Sequence, residues 1–107
     1  MKFKLKIGTA VDTVVTVPHL LRDKSAYGMT EYCLKLITLD EDLMRKQPDL
    51  FVQTLLHEVN HAALHEHGVR IEDRQEEEHI VDSIAMQLTL LRQNNKFMKI
   101  FQGEFNE

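Results

Sequence analysis

Hydrophobic and polar positions change period once along this chain, near residue 40. Before that point the pattern is two-fold. "KFKLKI" (2–7) alternates strictly, setting Phe3, Leu5 and Ile7 against three lysines, which predicts a half-buried strand with a solvated lysine face. "TAVDTVVTV" (9–17) is rich in β-branched residues and stops at Pro18, predicting a second strand. "TEYCLKLITL" (30–39) is the third candidate, with Leu34, Leu36 and Leu39 as its expected inward positions and Cys33 the less certain one. The stretch 18–29 reads as a short helix or loop between strands.

From Asp40 the spacing becomes helical. "DEDLMRKQ" suits one or two turns ahead of Pro48. Asp49 is expected to cap a helix running to about His67, with Gly68 as its stop. Leu50, Phe51, Leu55, Val59, Ala62 and Ala63 make that helix apolar around much of its circumference, so it is expected to be central. "DRQE" (73–76) has the form of a capping box, with Asp73 as N-cap and Glu76 reaching back. The helix that follows carries Val81, Ile84, Ala85, Leu88 and Leu91 as an expected packing stripe and ends near Asn94 or Asn95. "KFMKIFQGEFNE" adds a turn, a strand or a partly ordered tail. The expected fold is α+β: a small N-terminal sheet of about three strands, then two packed helices, in one domain over residues 1–107.

Composition narrows the function. Apolar residues make up 43% and charged residues 28%, which is a globular balance. A net charge of -4 argues against nucleic acid as the partner, because neutralising phosphates needs a basic surface. One cysteine, Cys33, excludes an internal disulfide. No apolar run approaches the roughly 18 residues of a membrane span, and the N-terminus lacks the apolar block of a signal peptide, so a soluble cytoplasmic protein is expected. The apolar residues Phe97, Met98, Ile100, Phe101 and Phe105 near the end leave monomer and homodimer both open.

The chemistry concentrates in "LLHEVNHAALHEHG" (55–68), where four histidines and two glutamates interrupt the helix expected to be most buried. His57-Glu58-Val59-Asn60-His61 is HExxH. Imidazoles four residues apart stand about one turn apart and can reach a single ion. Glu58, beside the first of them, is placed to hold the ion's water instead of the ion, which is what zinc-dependent hydrolysis needs.

A catalytic zinc usually takes three protein ligands. His65 lies a further turn along the same helix, and a straight helix cannot wrap three turns around one ion. His67 has the ten-residue offset from His57 found in metzincins, but Leu64 stands where that group bends the chain with a glycine. The second helix offers "EEEH" (76–79). From His61 the first helix runs on six residues, about 9 Å. After a reversal over 68–73, a residue four or five places into the second helix returns to the same level, and both Glu77 and Glu78 fit. Glu78 is favoured because Asp82 follows it by one turn, as a carboxylate able to hold a ligand histidine's second N–H, and because it shares a side with small Ala85. Glu77 is the fallback ligand, and His79 is expected to be exposed.

"TLLHEVNHAALHEHG" followed by "EEHIVDSIAMQL" resembles the gluzincin-type metallopeptidases, and more closely the minimal ImmA/IrrE-like or phage-encoded metallopeptidase domains. The resemblance covers about residues 27–95. It implies His57, His61 and Glu78 as zinc ligands, Glu58 as general base, Asp82 as an outer partner, and a strand at 30–39 that pairs with an extended substrate. It also implies a protein or peptide substrate, with a regulatory protein such as a repressor as one such substrate. The chain departs from that group in having little after the third ligand, where substrate specificity is often carried. Tyr27, Tyr32, Arg70 and His65 are the candidates for a second electrophile. The alternatives are a non-catalytic zinc site closed by His65, His67 or His79, and an interaction domain whose acidic second helix binds a basic partner.

Overall fold

The computed structural model describes residues 1–105. Lys2–Ile7 forms β1 and Ala10–Val17 forms β2, an antiparallel hairpin joined through Gly8 and Thr9. Gly8 has a φ of 62°, a conformation that suits a residue without a Cβ. Opposed pairs Phe3–Val14 and Ile7–Ala10 put the apolar half of the alternation on one face, while Lys2, Lys4 and Lys6 remain exposed. After α1 (Leu20–Lys24) the chain makes β3 (Gly28–Glu31) and β4 (Leu36–Asp40).

The sheet therefore has four strands in the order β1-β2-β4-β3, with β2 and β4 parallel and β3 at an edge. The single strand expected over 30–39 is a hairpin. A turn at Tyr32–Lys35, closed by the Lys35 amide donating to the Tyr32 carbonyl at 3.2 Å, resets the two-fold register. Lys35 takes a φ of 50° there, so neither Gly nor Asn marks the turn. Leu34, expected to face inward, sits in that turn 67% exposed, whereas Leu39 is fully buried.

Asp40 ends β4 and caps α2 (Glu41–Lys46), its carboxylate accepting from the Asp42 amide at 2.9 Å and from the Leu21 amide at 3.3 Å. The central helix, α3, runs Pro48–Glu66. It starts one residue before the expected cap, because Pro48 suits the first helical position, where its missing N–H and fixed φ cost nothing. Asp49 thus lies in the first turn and pairs with Arg92 at 2.9 Å. Gly68 ends the helix as expected: at φ 71° its amide bonds to the His65 carbonyl, and Val69 bonds to Leu64, the pattern of a Schellman motif.

Helix α4 (Arg74–Arg92) begins at Asp73, whose side chain accepts from the Gln75 and Glu76 amides. The Arg92–Asp49 pair at one end and the histidine–carboxylate pairs at the other set α4 antiparallel to α3. Its buried residues are Val81, Ala85 and Thr89, a single row at four-residue spacing. Ile84, Leu88 and Leu91 of the expected stripe are 36%, 39% and 40% exposed. With α3 as its main neighbour, α4 has one wall to pack on and covers one row. The segment after Asn94 is a short helix, α5 (Asn95–Phe101).

Ile7, Val14, Ile37, Leu39, Leu43, Phe51 and Ala62 form the core between the sheet, α2 and α3. No helix among the described residues is long and apolar enough to cross a membrane.

Gly28 sets how closely β3 approaches α3. A Cβ built there would stand 2.9 Å from Thr54 Cγ2 and 3.0 Å from both Glu58 Cγ and Leu39 Cδ2. Gly28→Ala is expected to destabilise the fold by about 1–3 kcal/mol in urea unfolding, through overpacking of this seam.

Candidate metal centre

HExxH lies in the middle of α3, on the side that faces α4. His61 and Glu58 are buried there and His57 is largely so. Glu78, in the second turn of α4, brings a carboxylate onto both rings. Its Oε2 is 3.0 Å from His57 Nε2 and its Oε1 is 2.9 Å from His61 Nε2. The two Nε2 atoms are 3.1 Å apart. His57, His61 and Glu78 thus offer three ligand groups within 4.8 Å of one another, a set able to hold a metal ion.

The other ring nitrogens fix the chemistry of this cluster. His57 Nδ1 lies 2.6 Å from Asp82 Oδ1, and His61 Nδ1 lies 2.9 Å from Glu77 Oε2. An ionised carboxylate only accepts, so each Nδ1 must carry the proton. In the neutral ring, Nε2 is then a bare lone pair. Two such lone pairs and the Glu78 carboxylate converge with no donor among them. Only protons or a cation can relieve that repulsion, and the donor set of two imidazoles and a carboxylate suits zinc. Ligands on one tetrahedral zinc, at bonds of about 2.0–2.1 Å, stand roughly 3.3 Å apart, close to the observed Nε2 separation.

Glu58 stands apart from these three candidate ligands yet against them, with Oε2 3.9 Å from His57 Nε2. Its other oxygen, Oε1, accepts from the Thr30 hydroxyl of β3 at 2.7 Å. The space beside the ligands is a cavity of about 560 Å³ whose lining includes Glu58, Thr30, Tyr32, Arg74 and Glu78. Tyr32 lies on its rim, stacked on His65 with ring centroids 4.2 Å apart. Burial first, and then the carboxylates of Glu77, Glu58 and Glu78, raise the Tyr32 pKa above that of an ordinary phenol. The phenol therefore stays protonated through the neutral range and remains a donor.

The residues singled out from the sequence fall into three groups. His57, His61 and Glu78 meet, with Glu58 beside them and Asp82 behind His57. Glu77, the fallback ligand, instead holds the far nitrogen of His61. His65 and His67 stay out of the cluster: His65 is on Tyr32, and His67 ends α3 near Gly8. His79 is exposed, Arg70 lines an adjoining cavity with Tyr32 and His65, and Tyr27 lines one on the Gly28 side. Sequence reasoning missed Thr30 and Gly28, which carry no chemical signature of their own, and the supporting role of Glu77.

Removing Glu78 takes away the negative ligand, so Glu78→Ala is expected to abolish stoichiometric zinc binding. Glu77→Gln and Asp82→Asn are expected to weaken it about 10–100-fold through loss of the imidazole partners. Competition against a chelating dye measures all three, and equal affinity in Glu78→Ala would place the ion elsewhere. Comparison with protein-family models, with curated proteins and with solved structures gives no match, so the assignment of this centre stands on its geometry.

Proposed function

We propose that this chain is a zinc-dependent peptidase that hydrolyses a peptide bond in an exposed, flexible segment of a protein substrate. The observation that carries this reading is the separation of roles around one point: two imidazoles and Glu78 converge, while Glu58 lies beside them with one oxygen directed to their side. A purely structural zinc site is closed by a fourth protein ligand and has no use for such a base. Here the group of possible ligands among the described residues stops at three, and a cavity adjoins it.

A zinc ion held by His57, His61 and Glu78 supplies Lewis acidity toward a carbonyl and acidifies water. The protein's own groups do the rest. Glu58 takes a proton from the attacking water and delivers it to the leaving amine, acting as base and then as acid. Asp82 and Glu77 keep the two rings in the Nδ1–H form, which leaves both Nε2 lone pairs free for the ion they would hold. Tyr32, held protonated in the lining of the cavity, is a donor available to a developing oxyanion. The edge strand β3 borders the same cavity through Gly28, Met29 and Thr30, which suits an extended peptide laid along it. A cytoplasmic regulatory protein as substrate belongs to the same reading, and the exposed thiol Cys33 suits a reducing compartment.

Glu58→Gln separates binding from chemistry. The variant is expected to retain one zinc per chain and to lose at least about 10²–10⁴-fold in the rate of cleavage of an unfolded protein such as casein. Undiminished cleavage by Glu58→Gln would remove Glu58 from the mechanism.

A further inference from the structure

Strand β3 touches the side chain of Glu58 at two points. Gly28 and Thr30 are two residues apart and so share the strand face that meets α3. At Gly28, the backbone comes so close that an added Cβ would be 3.0 Å from Glu58 Cγ. At Thr30, the hydroxyl lies 2.7 Å from Glu58 Oε1 and 3.3 Å from the Glu58 carbonyl oxygen. A hydroxyl has one proton, and the shorter, charge-assisted contact takes it. That bond occupies Oε1 and leaves Oε2 as the oxygen turned toward the ligand cluster, 3.9 Å from His57 Nε2.

We propose that Thr30 is a positioning residue for Glu58, its hydroxyl holding Oε1 so that Oε2 alone is presented to the reacting proton. The proposal rests on the reading of Glu58 as the base. A glutamate has three rotatable side-chain bonds, and a base that must meet one proton gains rate from having them fixed. His57 lies on the Oε2 side, and the nearby Thr54 hydroxyl is already given to the Leu50 carbonyl at 2.8 Å, so neither supplies this restraint. The bond also ties the base to the strand that borders the cavity, so displacement of β3 moves both.

The test uses the full, zinc-loaded chain with ¹³C-labelled glutamate, the Glu58 signals being assigned with Glu58→Gln. Three-bond couplings then report whether the Glu58 side chain holds one rotamer. Wild type and Thr30→Ser are expected to hold one, and Thr30→Val, which keeps the shape and loses the hydroxyl, is expected to average over several. All three should bind one zinc. On casein, Thr30→Val is expected to lose about tenfold in kcat with KM unchanged, and Thr30→Ser to restore it. A single rotamer in Thr30→Val, averaging in Thr30→Ser, or loss of zinc together with side-chain order in Thr30→Val would overturn the proposal. Absence of any cleavage by wild type would count against the peptidase reading alone, because the couplings report on Thr30 without it.

Discussion

Three acceptor groups are forced to face one another between α3 and α4, and the arrangement of the second half of the chain follows from that. With both rings neutral and Asp82 and Glu77 accepting from their outer nitrogens, the inner nitrogens meet each other and Glu78 as lone pairs at about 3 Å. Such a cluster, in a largely buried seam, is costly unless a positive charge fills it. A cation held there would offset the repulsion and fasten α4 to α3 near the N-terminal end of α4, while Arg92 and Asp49 join the helices at the other. Between these two ends α4 needs only a thin row of small buried side chains, Val81, Ala85 and Thr89, which accounts for the exposure of Ile84, Leu88 and Leu91.

The sheet contributes placement more than burial on the site's side. β3 is an edge strand with a single sheet partner, β4, and it reaches α3 because Gly28 has no side chain to hold it off. That approach brings the Thr30 hydroxyl onto Glu58 and leaves a cavity between the strand and the ligand groups. One small residue therefore links three features: the packing of the seam, the orientation of Glu58, and the open space beside His57, His61 and Glu78.

Much of the centre was legible from spacing alone. HExxH within an apolar helix and an expected reversal over 68–73 brought Glu77 and Glu78 to the level of His57 and His61, because helix rise is nearly invariant, and Asp82 and small Ala85 tipped the choice to Glu78. The α+β order and the Gly68 stop were legible for the same local reasons. The hairpin at 28–40 was not, since "CLKL" continues the apolar run through a turn that Lys35 makes without glycine. Thr30 and Gly28 act on a residue about thirty positions away, and neither type carries a signal that a contact of that range exists. Glu77 was placed at the right level of the helix as the fallback ligand, and the structure sets it on the outer nitrogen of His61. The difference between a ligand and a ligand's partner is about one residue of helical rotation, finer than a count of rise resolves.

The most direct measurement is zinc K-edge X-ray absorption on the purified chain loaded with one equivalent of zinc. The expected first shell contains two imidazole nitrogens at about 2.0–2.1 Å and carboxylate or water oxygens at about 2.0–2.2 Å, with no sulfur. A shell of three or more imidazoles, a sulfur from Cys33, or failure to retain stoichiometric zinc would contradict the centre formed by His57, His61 and Glu78.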